Sequence, residues 1–317
     1  MSSATGVKSP NADAYVWIGP LPYGHYASAS NWKDATTGRT PASYFPGPLT
    51  PVTIAGPAVQ TFELITGGGS AASMDLTGNI RVEGSYTIGG VLNVGSPAFP
   101  QTPGALIQTY KSTITAGSIN VFVDTQVNSL STPGDLLVNS RNLSVFNGTV
   151  RVGGALTNKG GGIDVSNGTM IVGGPITEAG NITSVRTAIS VRGASAKLIT
   201  SGTLTATSGS DYSSARGSVI ASDGGFVQLG GAVFNPTANW INPFLGLAVD
   251  AKSAIEIGNV GNVALGAITV DVGKAITVNA DTSFSGKLVN NGAWFKTGLH
   301  VELGKAGLTL AGRMMAP

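Results

Sequence analysis

Cysteine is absent from this chain of 317 residues, which removes disulfides, thiolate metal sites and thiol nucleophiles together. Packing and backbone hydrogen bonds must hold the fold. Histidine is nearly absent too: His25 and His300 stand near opposite ends, neither in a ligand-spaced cluster such as His-Glu-x-x-His, so a resident metal is not expected. Charged residues make up 11% of the chain, against about 25% in ordinary globular proteins. The net charge is +2 with no run of Lys or Arg, which argues against a nucleic-acid partner. Seven basic residues between Arg141 and Arg216 outnumber the acidic Asp164, Glu178 and Asp211 in that stretch, and a solvated face accounts for this mild bias. No segment approaches the ~18 uninterrupted apolar residues of a membrane helix, so membrane insertion is not expected. The opening MSSATGVKSPNADAY has one Lys and no apolar run, unlike a secretory signal. Helical periodicity is missing as well.

Glycine is abundant, at 46 residues, well above the usual ~7%. Mean hydropathy is +0.21 despite the few charges, so surface polarity must come from Ser, Thr, Asn and Gly, and part of the outer surface is expected to be covered by other molecules.

The most informative feature is a repeat. LSVFNGTVRVGGALTNKG, from Leu143, aligns without gaps on IDVSNGTMIVGGPITEAG, from Ile163, pairing Asn147-Gly148-Thr149 with Asn167-Gly168-Thr169 and Val152-Gly153-Gly154 with Val172-Gly173-Gly174. Each unit carries two short alternating runs joined by Asn-Gly and Gly-Gly, too little to bury a hydrophobic face alone. Units must therefore stack. The reading is an all-β chain, a parallel β-helix (β-solenoid) of about 20 residues per rung, with Val145 over Val165 and Val152 over Val172, all inward. Asn-Gly reads as a turn with positive φ, and Asn side chains are expected to form ladders between rungs.

Residues 1–60 differ. They hold eight of the 16 prolines and four of the seven tyrosines, with Trp17, Trp32 and Phe45. Proline lacks the ladder donor, so this segment reads as an aromatic, Pro-rich N-terminal cap or a docking segment, and 61–317 as the solenoid. Alternating runs recur in the latter, as in NIRVEGSYTIGGVLNVG from Asn79 and AITVDVGKAITVNADTSFSG from Ala267. Three stretches interrupt them: SPAFPQTPGALIQTY from Ser96, SGSDYSSARGS from Ser208 and FNPTANWINPFLGL from Phe234. Solenoid insertions emerge as lateral loops and often carry contacts.

The opening also carries a resemblance. Trp17 with Gly19, Asn31-Trp32, the prolines from Pro41 to Pro51, and the strand Val52-Thr53-Ile54 resemble the start of bacterial haemagglutinin-like and autotransporter-like β-helical adhesins, and KLVNNGAWFKTG from Lys287 looks like their Leu-x-Asn-x-Gly turns. The resemblance implies a fold and a capping style, and no chemistry. From its residues, neither the export signal nor the C-terminal membrane barrel of those proteins is expected in this chain. It is also similar to β-solenoid virion proteins of bacteriophages: spikes, fibres and capsid decorations, which leave the cell by lysis.

Candidate chemistry is sparse. Glu63 with Glu83, and Asp250 with Asp271, are spaced to stack on adjacent rungs at ~4.8 Å, near the ~5 Å separation of a retaining glycosidase. Stacked like charges are costly, and splayed, solvated side chains are the plainer account. Gly160 to Asp164 partly matches a calcium-binding repeat, yet occurs once, with Lys159 at a Gly position, and reads as a turn. No Gly-x-Ser-x-Gly elbow is present. No cofactor is expected.

The expectation is a non-enzymatic structural or attachment protein of a bacteriophage virion, a head decoration or fibre or a tail spike. The alternatives are a bacterial surface adhesin and a glycan-cleaving spike. The partners expected are copies of itself, as a trimer or array, other virion proteins, and a host surface glycan. Candidate contact residues are Trp17, Trp32, Phe234, Trp240, Phe244, Met314 and Met315.

Overall fold

Val52 and Ile54 point inward from the strand Pro51–Ala55 while Thr53 and Ala55 face out, and the same two-residue alternation recurs along the chain. The computed structural model describes residues 8–257, except 20–22, 58–62, 97–104, 109–111, 140, 180–187, 208–209, 213–214, 235–245 and 250–251, and beyond 257 a series of short strands ending at 315. The protein is all-β. Among the described residues there is no α-helix, and none is long and apolar enough to cross a membrane; the 3-10 turn Ala29–Asn31 is the helical element seen. The chain divides into two compact units, Met1–Leu143 and Ser144–Pro317.

In the first unit, inward residues of parallel neighbours lie side by side: Tyr15 on Val52, Val52 on Met74, Met74 on Leu92, Leu92 on Ile119 and Ile119 on Leu136. Ile54, Leu76, Val94, Val121 and Val138 form a second column two residues along. All are at most 3% exposed. Burying each aliphatic side chain contributes about 1.5–3 kcal/mol, so register is enforced along the whole column: a slip of one residue would turn every one of these outward.

The second unit follows the same logic. Val150 faces Met170, then Leu198, Val227 and Ile255, while Ile163 faces Ile189, Val219 and Leu247. All are buried. Val152 faces Val172, and Val145 and Val165 are both fully buried, as the repeat predicts. Asn147 and Asn167 both adopt φ of 51°, the left-handed geometry expected of Asn-Gly. The parallel ladder continues in the backbone through Leu288 on Leu308.

The step between partners is uneven, unlike the regular count suggested by the repeat. Asn158 and Glu178 are 20 residues apart, Asn167 and Ser195 are 28, and Gly224 and Ser253 are 29. Inserted segments lengthen the steps. One of them, from Ser208, forms an antiparallel hairpin of Ser210–Tyr212 and Ala215–Gly217 that packs on Gly246–Val249 and Val219–Ser222. Covered on both faces there, Val219, Ile220 and Ala221 are all buried, with Ile220 against Ala188. Another stretch read as a lateral loop holds a core strand instead: Ala105–Gln108 pairs with Asn79–Val82, and Leu106 lies on Ile80.

Candidate functional site

The strand Tyr15–Trp17 pairs antiparallel with Trp32–Asp34, Trp17 opposite Trp32, and parallel with Pro51–Ala55. Tyr23–His25 pairs parallel with Glu63–Thr66. The N-terminal segment is thus hydrogen-bonded into the ladder that follows it. Its outer strand is closed by its own turns, since Ala42 N–H donates to Trp32 O and Asp34 N–H to Arg39 O, leaving a blunted edge. Asp34 Oδ1 accepts from the N–H groups of Thr36 and Thr37, both at 2.9 Å. Burial pushes that carboxyl up, but the Thr37 and Thr36 donors outweigh it and hold Asp34 below its usual range.

Three rings of the segment and Tyr86 of the ladder meet edge to face: Trp17 with Trp32 at 5.0 Å, Trp32 with Tyr26 at 5.0 Å, and Tyr26 with Tyr86 at 5.5 Å. Every polar tip has a partner. Trp32 Nε1 donates to Tyr26 O at 2.8 Å, Tyr26 Oη to Ser70 O at 2.9 Å, Tyr86 Oη to Ile65 O at 2.9 Å, and Trp17 Nε1 to Glu63 Oε1 at 2.9 Å. Burial pushes both tyrosine hydroxyls well above their usual range, so they stay neutral donors. Gly69 lies against the Tyr26 ring, where a Cβ would collide with it.

This geometry corrects two sequence expectations. Trp17 and Trp32 are core residues, 7% and 0% exposed, because their rings pack on each other, so they are not contact surface. Tyr23, 65% exposed, with Ile18, Tyr44 and Leu49, supplies the exposed apolar area of the segment. Nor do Glu63 and Glu83 stack. Glu63 lies opposite Ile80, fully buried in a column that continues as Leu106 and Thr125, whereas Glu83 is exposed and its N–H donates to Ile65 O. The pair has no common face on which to hold a sugar. Burial pushes the Glu63 carboxyl above its usual range, opposed by the Trp17 hydrogen bond.

Asp250, Asp271, Trp240 and Phe244 lie outside the described residues. Phe234 ends the strand Gly231–Phe234, opposite Ala206, and Met314–Met315 pairs with Phe295 and Lys296. Asp164 faces Ser166 Oγ at 3.0 Å and Arg192 at 3.5 Å, an ion pair in place of a calcium loop. Among the described residues no group of His, Asp and Glu is arranged to hold a metal ion.

Three polar arrangements went unread in the sequence. Asp75, Asn93 and Asn120 form an outer ladder, Asn93 donating to Asp75 at 2.8 Å and Asn120 to Asn93 at 2.8 Å, on strand faces rather than at turns. Buried Gln108 donates to Ser112 O and Ser129 O and accepts from the N–H groups of Asn128 and Ser129. Asn158 and Glu178 face each other inside the second unit. The signal for the last was a polar residue at the inward place of an alternating run, Leu156-Thr157-Asn158 and Ile176-Thr177-Glu178. Searches of protein-family models, curated proteins and solved structures find no match to this chain.

Proposed function

We propose that the chain is a structural or attachment protein built as a parallel β-helix, and that it works as a component of a bacteriophage virion, as a head decoration, fibre or tail-spike part. One observation carries the reading. In both units, columns of inward aliphatic residues lie on one another from parallel strand to parallel strand further along the chain, as through Met74, Leu92 and Ile119 and through Val150, Met170 and Leu198. Continuous stacks of this kind make a stiff element whose length grows by addition, suited to spacing and display.

The separation of Glu63 from Glu83 takes away one of the two carboxylate pairs on which glycan cleavage rested and favours the non-enzymatic role. The exposed Ile18, Tyr23, Tyr44 and Leu49 supply apolar area for contact with copies of the chain or with other virion proteins. A bacterial surface adhesin is the second reading, favoured by the packed Trp17–Trp32 pair, the element through which the opening resembles those proteins. Protein mass spectrometry of purified phage particles and of fractionated host cells tests the two. The virion reading expects the chain in the particle at a fixed ratio to the capsid protein. Recovery with the host surface fraction of uninfected cells, and absence from particles, overturns it.

A further inference from the structure

Among the described residues of the second unit, one acid is fully buried. Glu178 is fully buried on the strand Ile176–Glu178, in register with Asn158 on Leu156–Lys159, which is also fully buried. Asn158 Nδ2 donates to Glu178 Oε2 at 2.8 Å and to Gly161 O at 2.8 Å. Two acceptors on one nitrogen fix which end of the amide is which. The other two oxygens, Glu178 Oε1 and Asn158 Oδ1, are buried without a hydrogen-bond partner. Orphan acceptors of this kind cost about 1–3 kcal/mol each, more when charged.

A single proton on Glu178 Oε1, donated to Asn158 Oδ1, would satisfy both orphan oxygens and close an acid–amide ring whose other half is the bond already present. Among the described residues, no cation faces the carboxyl from the strands against it. Lys159 ends its strand exposed, Thr203–Ala206 on the other side bears no titratable group, and Asp164 of the next strand pairs outward with Arg192. Burial pushes Glu178 well above the usual carboxylate range, with the Asn158 hydrogen bond opposing.

We propose that Asn158 and Glu178 form a proton-operated latch between their two strands: protonated, the pair is neutral and closed; deprotonated, it leaves an unpaired charge in the core and the strands part locally. The bonds that must give are known. Ala179 N–H donates to Asn158 O at 2.8 Å, and Thr207 N–H donates to Glu178 O at 2.9 Å. Ionisation of Glu178 therefore weakens contacts on both flanks of its strand.

Two measurements on the full-length protein test the latch. Infrared difference spectra of wild type against Glu178→Gln at neutral pH should contain the carbonyl band of a buried protonated acid. A carboxylate band in its place overturns the proposal without requiring any variant to be more stable. Hydrogen exchange followed from pH 6 to pH 10 should show protection at Ala179 and Thr207 falling by up to tenfold per pH unit beyond the intrinsic acceleration once the proton is lost. Glu178→Gln, which keeps an amide donor and no titratable proton, should remove that extra loss. Equal pH dependence at these two amides in wild type and variant overturns the latch.

Discussion

The indole N–H of Trp17 donates to Glu63 Oε1 across 46 residues of sequence, tying the N-terminal segment to a carboxyl in the core of the first unit. Glu63 Oε2 has no hydrogen-bond partner. Trp17→Phe keeps the ring contact with Trp32 but orphans both carboxylate oxygens, and should cost about 1–3 kcal/mol in urea unfolding. Glu63→Gln retains an acceptor for the indole and should cost less. A larger loss for Glu63→Gln than for Trp17→Phe would show that the hydrogen bond is incidental.

Glu63 also makes stability depend on pH. Its carboxyl is raised in the folded state, so between the unfolded value near ~4.3 and the higher folded value the native state binds more protons than the unfolded chain. Stability conferred by the neutral form is therefore complete below the unfolded value and declines as pH rises through the folded one. The urea midpoint of Glu63→Gln should fall less with rising pH than that of wild type. Parallel curves would remove Glu63 from the account.

Val152 and Arg151 give the sharpest contrast between neighbours. Val152 is buried on Val172, while Arg151 beside it is exposed. Val152→Asp places an unpaired charge among aliphatic side chains and should cost several kcal/mol, ~4 or more, enough to prevent folding. Arg151→Asp should stay within about 0.5 kcal/mol. Comparable thermal midpoints for the two variants would mean that the alternation has been misassigned.

The repeat made this alternation legible because its inward residues are aliphatic and its turns use Asn-Gly. It also encouraged a constant step, which fails where segments such as Ser210–Gly217 are inserted: their residues alternate like strands whether they lie in the ladder or on top of it. The distinct character of the N-terminal segment was legible from Pro and aromatic content. That Trp17 and Trp32 face each other rather than a partner was not, because an indole that packs and an indole that docks have the same composition signature. Glu178 escaped for a related reason: a single polar letter at an inward place looks like the end of a strand until its register partner is known.

Asn167 tests the turn. At φ of 51° a β-branched residue pays the left-handed penalty of about 1–2 kcal/mol, so Asn167→Val should lower the melting temperature where Asn167→Gly changes it little. Asn147, with the same φ, should repeat the pattern. Equal tolerance of Val and Gly would mean that the turn relaxes out of the left-handed region at no cost.

The N-terminal segment bears the last test. Removing residues 1–49 leaves Pro51–Ala55 without its partner Tyr15–Trp17, strips Tyr26 from Tyr86 and leaves Glu63 with no donor. The strand then presents unpaired N–H and C=O groups along an edge, with Val52 and Ile54 uncovered beside it, a template for pairing with another chain. In the full-length protein that edge is closed by Tyr15–Trp17 and Trp32–Asp34, and beyond them by the turn through Arg39 and Ala42. The truncated chain should be insoluble or polymerise end to end, visible by sedimentation as species far above the full-length size. A soluble, monodisperse truncation with an undiminished β-sheet circular dichroism signal would show that the first unit needs no cap, and that the aromatic segment is an arm attached to a self-sufficient ladder.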